Sequence, residues 1–189
     1  MKYTVTLSKL KFLESFKTSV LNRFLQQYNL QELEKNDSWW NNFLLNNDEI
    51  QATYPLSQYL NDRVMVLTVF NSSKIKIHAD GIKNNAAIQI PIYGCTTKTV
   101  THFYEYNDGT PPEFKWHPKI GAREVLYKEK LVVSHSFSVT DTPILFRSNW
   151  PHSVTNNYNK TRVMFSWRFK PEYSWDDAVE ICHSLKLLY

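Results

Sequence analysis

With 189 residues and 22.4 kDa, the chain is long enough to bury a core of its own, and its 42% hydrophobic and 15% aromatic content excludes a disordered protein. The formal net charge of +4 is spread without a long block of either sign, so the sequence has no basic arm of the kind that binds nucleic acid. Its 2 cysteines have neither CxxC nor Cys/His spacing, and no apolar run approaches a membrane-spanning length. We therefore expect a folded domain in a reducing, cytoplasmic setting, without a membrane partner.

The first third of the sequence has the spacing of helices. Apolar residues recur at three- and four-residue steps in a first predicted helix, with Ser8 placed to cap it: Leu10, Leu13, Phe16, Val20 and Phe24. Asp37 or Ser38 is placed to cap a second helix that runs through residues 39–44. A third, short helix is predicted around Tyr59. Residues 1–62 are therefore predicted to form a helical layer.

From residue 63 the pattern changes to short runs rich in β-branched and aromatic residues, separated by Gly and Pro. The predicted strands span residues 64–70, 75–78, 86–93, 99–106, 131–139, 144–147 and 161–169. The stretch from Asn107 to Gly121 is predicted to be a long loop, and a last helix is predicted over residues 175–188. This order predicts one α+β domain over residues 1–189, with residues 63–170 as an antiparallel sandwich or barrel and residues 171–189 as a C-terminal helical segment.

His78 and Asp80 lie two residues apart at the end of a predicted strand, so their side chains project from the same face. His152, between two later predicted strands, is the second histidine best placed to complete a metal-binding set across the barrel. Two imidazole nitrogens and one carboxylate oxygen suit Fe(II) and leave adjacent positions open for a chelating acid and dioxygen. The competing interpretation is a hydrogen-bonded His–Asp pair at the turn before Gly81. The remaining histidines lack neighbours at ligand spacing and are expected to be structural or exposed.

Arg162 lies on the last predicted strand, on the face opposite to the apolar residues that alternate with it. A guanidinium that points into a barrel needs an anionic partner, and a carboxylate can accept from it in a bidentate manner. The competing interpretation is a surface arginine in an ordinary ion pair. Which face of the strand is turned inward decides between the two.

The order and spacing of His78-x-Asp80, His152 and Arg162 resemble the Fe(II)/2-oxoglutarate-dependent dioxygenase superfamily over about residues 64–169. The segments AIQIPI at 87–92 and PILF at 143–146 are similar to small aspartyl/asparaginyl hydroxylase-like members of phage type. The resemblance implies a double-stranded β-helix core, of the jelly-roll or cupin-like kind, buttressed by the N-terminal helices.

The resemblance also implies a chemistry. His78, Asp80 and His152 would hold Fe(II), and Arg162 would bind the distal carboxylate of 2-oxoglutarate, the co-substrate. Hydroxyl-bearing residues on the strands after His78-x-Asp80 are further co-substrate candidates: Tyr93, Thr101 and Tyr104. Dioxygen would be consumed to hydroxylate a C–H bond of a small molecule or a protein side chain, with no catalytic residue beyond the metal centre. The compartment implied is the bacterial cytoplasm, or the host cytoplasm for a phage-encoded protein.

Two other functions stay open. The spacing of Arg162 and Arg168 is like that of the AlkB-type nucleic-acid demethylases, although nucleic acid is not the partner that the rest of the sequence favours. A non-catalytic jelly-roll binding module would keep the fold without using the candidate ligands. Metal binding would require both histidines to be neutral, so we expect metal affinity to fall below about pH 6.5.

Overall fold

The computed structural model describes residues 3–7, 10, 13–35, 40–81, 85–117 and 122–188. The strands in these ranges are β1 (Thr4–Thr6), β2 (Trp40–Leu44), β3 (Arg63–Val69), β4 (Lys74–His78), β5 (Ala87–Tyr93), β6 (Thr99–Tyr106), β7 (Phe114–His117), β8 (Ala122–Val125), β9 (Leu131–Phe137), β10 (Ile144–Phe146), β11 (His152–Asn156) and β12 (Arg162–Arg168). The helices are α1 (Leu13–Gln27), α2 (Leu30–Lys35), α3 (Asn47–Ala52) and α4 (Trp175–Ser184), with 3-10 turns at Leu56–Tyr59 and Lys128–Lys130. None of the described helices is both long and apolar enough to cross a membrane.

The strands form two facing antiparallel sheets. The major sheet has the order β1-β10-β5-β12-β3-β2, and the minor sheet has the order β4-β11-β6-β9. The hairpin of β7 and β8 forms a small sheet of its own beside the end of β4, where Ala79 bridges to Arg123. The strands from β3 to β6, and again from β9 to β12, alternate between the two sheets, so the core is a double-stranded β-helix, which confirms the predicted fold class.

Strand β12 separates the hydrophobic core from the space between the sheets. Its odd-numbered residues, of which Phe165 and Trp167 are at most 1% exposed, pack on the outer side of the major sheet against α1. The ring of Phe16 stacks on Trp167 with 5.1 Å between centroids. Because side chains alternate along a strand, Arg162 and Ser166 must face the other sheet. The helical layer therefore fixes which residues of β12 enter the interior cavity.

The predicted second helix is wrong. Residues 40–44 form β2, which pairs with β3 at the edge of the major sheet. Burial alternates along this segment, since Phe43 is buried in the core and Asn42 and Leu44 are exposed to solvent or to the cleft, so the period is that of a strand. The proposed caps Asp37 and Ser38 lie outside the described residues, as does Ser8. A helix begins instead after Asn46, which forms a capping box with Glu49.

The loop predicted from Asn107 to Gly121 is also partly wrong, because Phe114–His117 is a strand paired with Ala122–Val125. The prolines at 111 and 112 favour a loop, and the strand that follows them is only four residues long. Strand β11 was missed as well, since HSVTN is short and polar, although four of its five residues are buried in the sandwich. The seven predicted strands are found within two residues of their predicted ends, and the last helix ends earlier, at Ser184.

Candidate metal centre

Strand pairing brings His78, Asp80 and His152 together. His78 ends β4 and His152 begins β11, and the two residues are direct partners in the antiparallel ladder. Their ring centroids are 4.4 Å apart, and Asp80 follows β4 so that its Oδ1 is 3.8 Å from His78 Nε2. One potential ligand atom from each residue lies within 4.8 Å of the other two. Across the described ranges, these three residues form the one His/Cys/Asp/Glu cluster with metal-binding geometry.

Both histidines are oriented by the same kind of hydrogen bond. Nδ1 of His78 lies 2.8 Å from the carbonyl oxygen of Lys76, and Nδ1 of His152 lies 2.8 Å from that of Trp150. A carbonyl oxygen only accepts, so each Nδ1 carries the proton and each Nε2 carries the lone pair in the neutral ring. This tautomer is the one in which Nε2 can bind a metal.

His152 is held neutral by its surroundings. Its residue exposure is 5%, and the rings of Phe103 and Phe146 lie beside it. Burial, with a smaller contribution from nearby His78, lowers the pKa of His152 to about 4, against the opposing effect of Asp80. At neutral pH His152 is therefore unprotonated, with a lone pair available to a metal.

Asp80 is held ionised by Arg168. Burial alone would raise the pKa of the Asp80 carboxyl, but the Arg168 guanidinium, followed by the two histidines, lowers it below its usual value. Nη2 of Arg168 donates to Asp80 Oδ2 at 2.9 Å. The other carboxylate oxygen, Oδ1, is the one turned toward His78.

Arg123 joins the two chain segments that carry the candidate ligands. Its Nε donates to the Asp80 carbonyl oxygen at 2.9 Å, and its Nη2 donates to that of Asn149 at 2.8 Å. Its backbone exchanges hydrogen bonds of 2.9 and 2.7 Å with Ala79, between the first two candidate ligands. The guanidinium also stacks on Phe114 of β7, 4.2 Å from the ring centroid. The hairpin of β7 and β8 is thereby attached to the centre.

The three residues line a cavity of about 180 Å³ between the sheets, together with Arg162. Arg162 is 3% exposed, and its Nε is buried without a hydrogen-bond partner among the described residues. Its Nη2 lies 3.2 Å from the sulfur of Met164. Burial lowers the pKa of the guanidinium, with the Cys95 thiol opposing the shift, yet an arginine remains charged at neutral pH. The cavity thus contains a buried cation without a full set of acceptors.

The other three co-substrate candidates differ in whether they reach the cavity. Thr101 is buried on β6 and lines the cavity. Tyr93, at the far end of β5, is 50% exposed and lies outside the lining. Tyr104 also lies outside it, and its hydroxyl is used in a buried 2.9 Å hydrogen bond with Ser153. The structure therefore brings only Thr101 of these three to the candidate metal centre.

Sequence reasoning missed several polar residues of the cavity. Gln89 and Ser166 are direct partners on β5 and β12, and both line it. Gln89 is a polar residue within an otherwise apolar buried strand, and Ser166 lies on the same face of β12 as Arg162. Both features of the sequence indicate that these side chains face the cavity. Asn42 is on β2, where the sequence predicts a helix, so its position at the cavity does not follow from the sequence.

No protein-family model matches the sequence, and no curated protein matches it. Among solved structures, AviO1 from Streptomyces viridochromogenes Tue57 aligns with a TM-score of 0.53 at 7% identity, covering 91% of both chains. A prolyl-4-hydroxylase from Pseudomonas putida aligns at 0.46 with 10% identity, covering 88% of this chain and 89% of that one. A protein of the 2OG-Fe(II) oxygenase family from Burkholderia pseudomallei aligns at 0.37 with 12% identity, covering 61% of this chain and 46% of that one. The first likeness shows a shared fold, and the other two, with TM-scores below 0.5, support no conclusion.

Proposed function

We propose that this protein is a non-haem Fe(II), 2-oxoglutarate-dependent oxygenase that hydroxylates an unactivated C–H bond. The observation that carries the proposal is a largely buried His–Asp–His cluster that shares one cavity with a buried arginine whose Nε has no acceptor among the described residues. The double-stranded β-helix and the superfamily resemblance in the order of these residues agree with it.

The donor set fits Fe(II). His78 and His152 offer their imidazole Nε2 atoms from one ladder pair, and Asp80 offers one carboxylate oxygen while Arg168 occupies the other. Two histidines and one carboxylate are the ligands of mononuclear Fe(II) oxygenases, and they leave positions free for further ligands. The Nδ1 hydrogen bonds of both rings supply the outer support that such ligands need.

The charges of the cavity fit a dicarboxylate co-substrate. Asp80 and Arg168 neutralise each other, so an Fe(II) ion and Arg162 would leave an excess of positive charge in a largely buried space. A buried charge without a partner is unfavourable, and 2-oxoglutarate carries two negative charges. One carboxylate would complete the hydrogen bonding of Arg162, and the 2-oxo acid end would face the metal.

Bound Fe(II) would supply the activation of dioxygen, coupled to oxidative decarboxylation of 2-oxoglutarate to succinate and carbon dioxide. The chain's own residues bind and orient the reactants and exclude water. Arg162 sets the position of the co-substrate, Arg168 holds the Asp80 carboxylate in one orientation, and Phe146 and Val154 give the cavity an apolar wall. No proton-transfer residue is required.

The deciding experiment is an anaerobic titration of metal-free protein with Fe(II) and 2-oxoglutarate, followed by the weak visible metal-to-ligand charge-transfer band. We expect the band in wild type, its loss in Asp80→Ala, and its retention in the matched variant Asp141→Ala, which changes an exposed aspartate. Circular dichroism checks that the variants are folded. If wild type gives no band, the non-catalytic binding module becomes the better account.

A further inference from the structure

A second compartment continues the cleft beyond the candidate metal centre. It has a volume of about 210 Å³ and shares Asn42, Met65, Ser166 and Arg168 with the first cavity. Arg168 therefore stands between the two compartments, in contact with Asp80 on one side.

The second compartment lies at the opposite end of the cleft from Arg162. Arg162 pairs with Val69, whereas Ser166 pairs with Met65, four residues away on each strand. At about 3.3 Å per residue, this separation is roughly 13 Å. A co-substrate bound between Arg162 and the metal ligands would leave the second compartment open to another reactant.

The lining of this compartment is polar and carries both signs of charge. Asn61, Asp62 and Arg63 enter it at the start of β3, where Asp62 and Arg63 are exposed. Within the part of the chain that the structure describes, neither charged side chain takes part in an ion pair or a side-chain hydrogen bond. Met65 is its one apolar side chain in the described ranges, whereas the first cavity has several. The compartment is thus a polar pocket with an available anion and an available cation.

From this arrangement we infer that the second compartment binds a free α-amino acid as the substrate to be oxidised, an inference that rests on the proposed oxygenase function. The carboxylate of Asp62 would accept from the α-ammonium group, and the guanidinium of Arg63 would donate to the α-carboxylate. The side chain of the amino acid would then extend past Ser166 and Arg168 toward the metal ligands.

Charge balance favours this class over the alternatives. Asp62 and Arg63 cancel, and the third charged residue of the lining, Arg168, is paired with Asp80 of the first cavity, so the described lining of the compartment has no unpaired excess charge and matches a zwitterion. A residue within a protein chain has neither the free ammonium nor the free carboxylate, and would leave both charged groups unused. A nucleic acid would place phosphates beside Asp62, which repels them.

The test measures binding of the common L-amino acids, one at a time, to the metal-free protein by calorimetry and thermal shift. We expect at least one free amino acid to bind, and its N-acetylated and C-amidated forms to bind at least about tenfold more weakly. Asp62→Asn and Arg63→Gln should each weaken the binding of the free amino acid by about tenfold or more. The matched variants Glu180→Gln and Lys115→Gln remove one exposed charge of each sign elsewhere and should leave binding unchanged.

The inference is overturned if no free amino acid binds, if capped forms bind as tightly as free ones, or if both charge variants bind like wild type. A methylated oligonucleotide that binds more tightly than any amino acid would overturn it in favour of the demethylase. Because no iron is present, the result is independent of the charge-transfer titration. Failure here with a positive titration would leave the oxygenase proposal intact with another substrate.

Discussion

Arg168 donates to Asp80 across the cleft, with Nη2 of the guanidinium 2.9 Å from Oδ2 of the carboxylate. The side chains are 20% and 14% exposed, so the pair is mostly, though not fully, removed from water. The two residues lie 88 positions apart in the sequence, at the end of β12 and just after β4. The pair therefore ties the major sheet to the segment that carries two of the candidate ligands.

We predict that Arg168→Gln destabilises the metal-free protein by on the order of 2 kcal/mol at pH 7, because it leaves a largely buried carboxylate without its cation. The pKa of Asp80 is lowered in the folded state, so the stabilisation from this pair is present above the unfolded value of 3.8 and is lost as pH falls through the folded value. Urea unfolding at pH 7 and at pH 3 should show a smaller difference at the lower pH. An equal loss at both values would show that the guanidinium acts by packing alone.

His152 gives a second prediction about pH. Because its pKa is lowered in the folded state, the free energy of unfolding should decrease as the pH falls. Its pKa is about 4 when folded and 6.5 as the ordinary value, so the unfolded chain takes up a proton first as pH falls. Wild type should lose about 3 kcal/mol of stability between pH 6.5 and 4 relative to His152→Gln. Unfolding free energies across this range test it, with the exposed His183→Gln as a control that should keep the wild-type slope.

The same burial bears on metal binding. The expected fall in metal affinity below about pH 6.5 assumed ordinary histidines. Proton competition at His152 begins only near pH 4, so this residue should not contribute to a fall between the two values.

Arg162→Met separates a co-substrate role from a structural one. Methionine removes a buried charge that lacks a full set of acceptors, so we expect the metal-free variant to be at least as stable as wild type. With metal bound, its affinity for 2-oxoglutarate should fall about 100-fold, because a charge-assisted carboxylate contact is lost. Urea unfolding and co-substrate titration measure the two effects. A marked loss of stability with unchanged affinity would show that this buried arginine has a structural role and does not bind the co-substrate.

Arg123→Ala tests the attachment of the hairpin to the centre. It removes the two side-chain hydrogen bonds that join the Asp80 and Asn149 carbonyl groups, and we expect Fe(II) affinity to fall about 10- to 100-fold, as for other groups that support metal ligands. Lys115→Ala, in the same hairpin but exposed, should leave the affinity unchanged. Hydrogen exchange at the Ala79 amide, which donates to the Arg123 carbonyl, reports whether the backbone pairing survives. Unchanged affinity in Arg123→Ala would mean that the backbone pairing positions the ligands by itself.

Local periodicity accounts for what the sequence could predict. The two-residue step from His78 to Asp80 and the alternation around Arg162 need only the pleat of a strand, and the structure has the expected facing in both places. The β-rich runs are long enough to be recognised as strands from the sequence. The sheet topology then confirms the predicted double-stranded β-helix.

The remainder depends on contacts between segments distant in sequence. Nothing near Asp80 indicates that its partner is Arg168, and nothing near Arg123 indicates that it contacts two carbonyl groups of other segments. Strands β2 and β11 are short and have no clear local signal, and they are strands because neighbours in the sheets pair with them. Tyr93 and Tyr104 were placed on the correct strands, but local pattern does not say how far along a strand the cavity extends.

The division of β12 into a core side and a cavity side gives a practical route to altered chemistry. Its odd-numbered positions are filled by Val163, Phe165 and Trp167, which the helical layer holds in place. Ser166 and Arg168, on the other side, border both compartments. Arg168 has to be kept for its contact with Asp80, whereas Ser166 has no such contact among the residues that the structure describes, so we expect substitutions at Ser166 to change which molecules the cleft admits while the packing of β12 on α1 is retained.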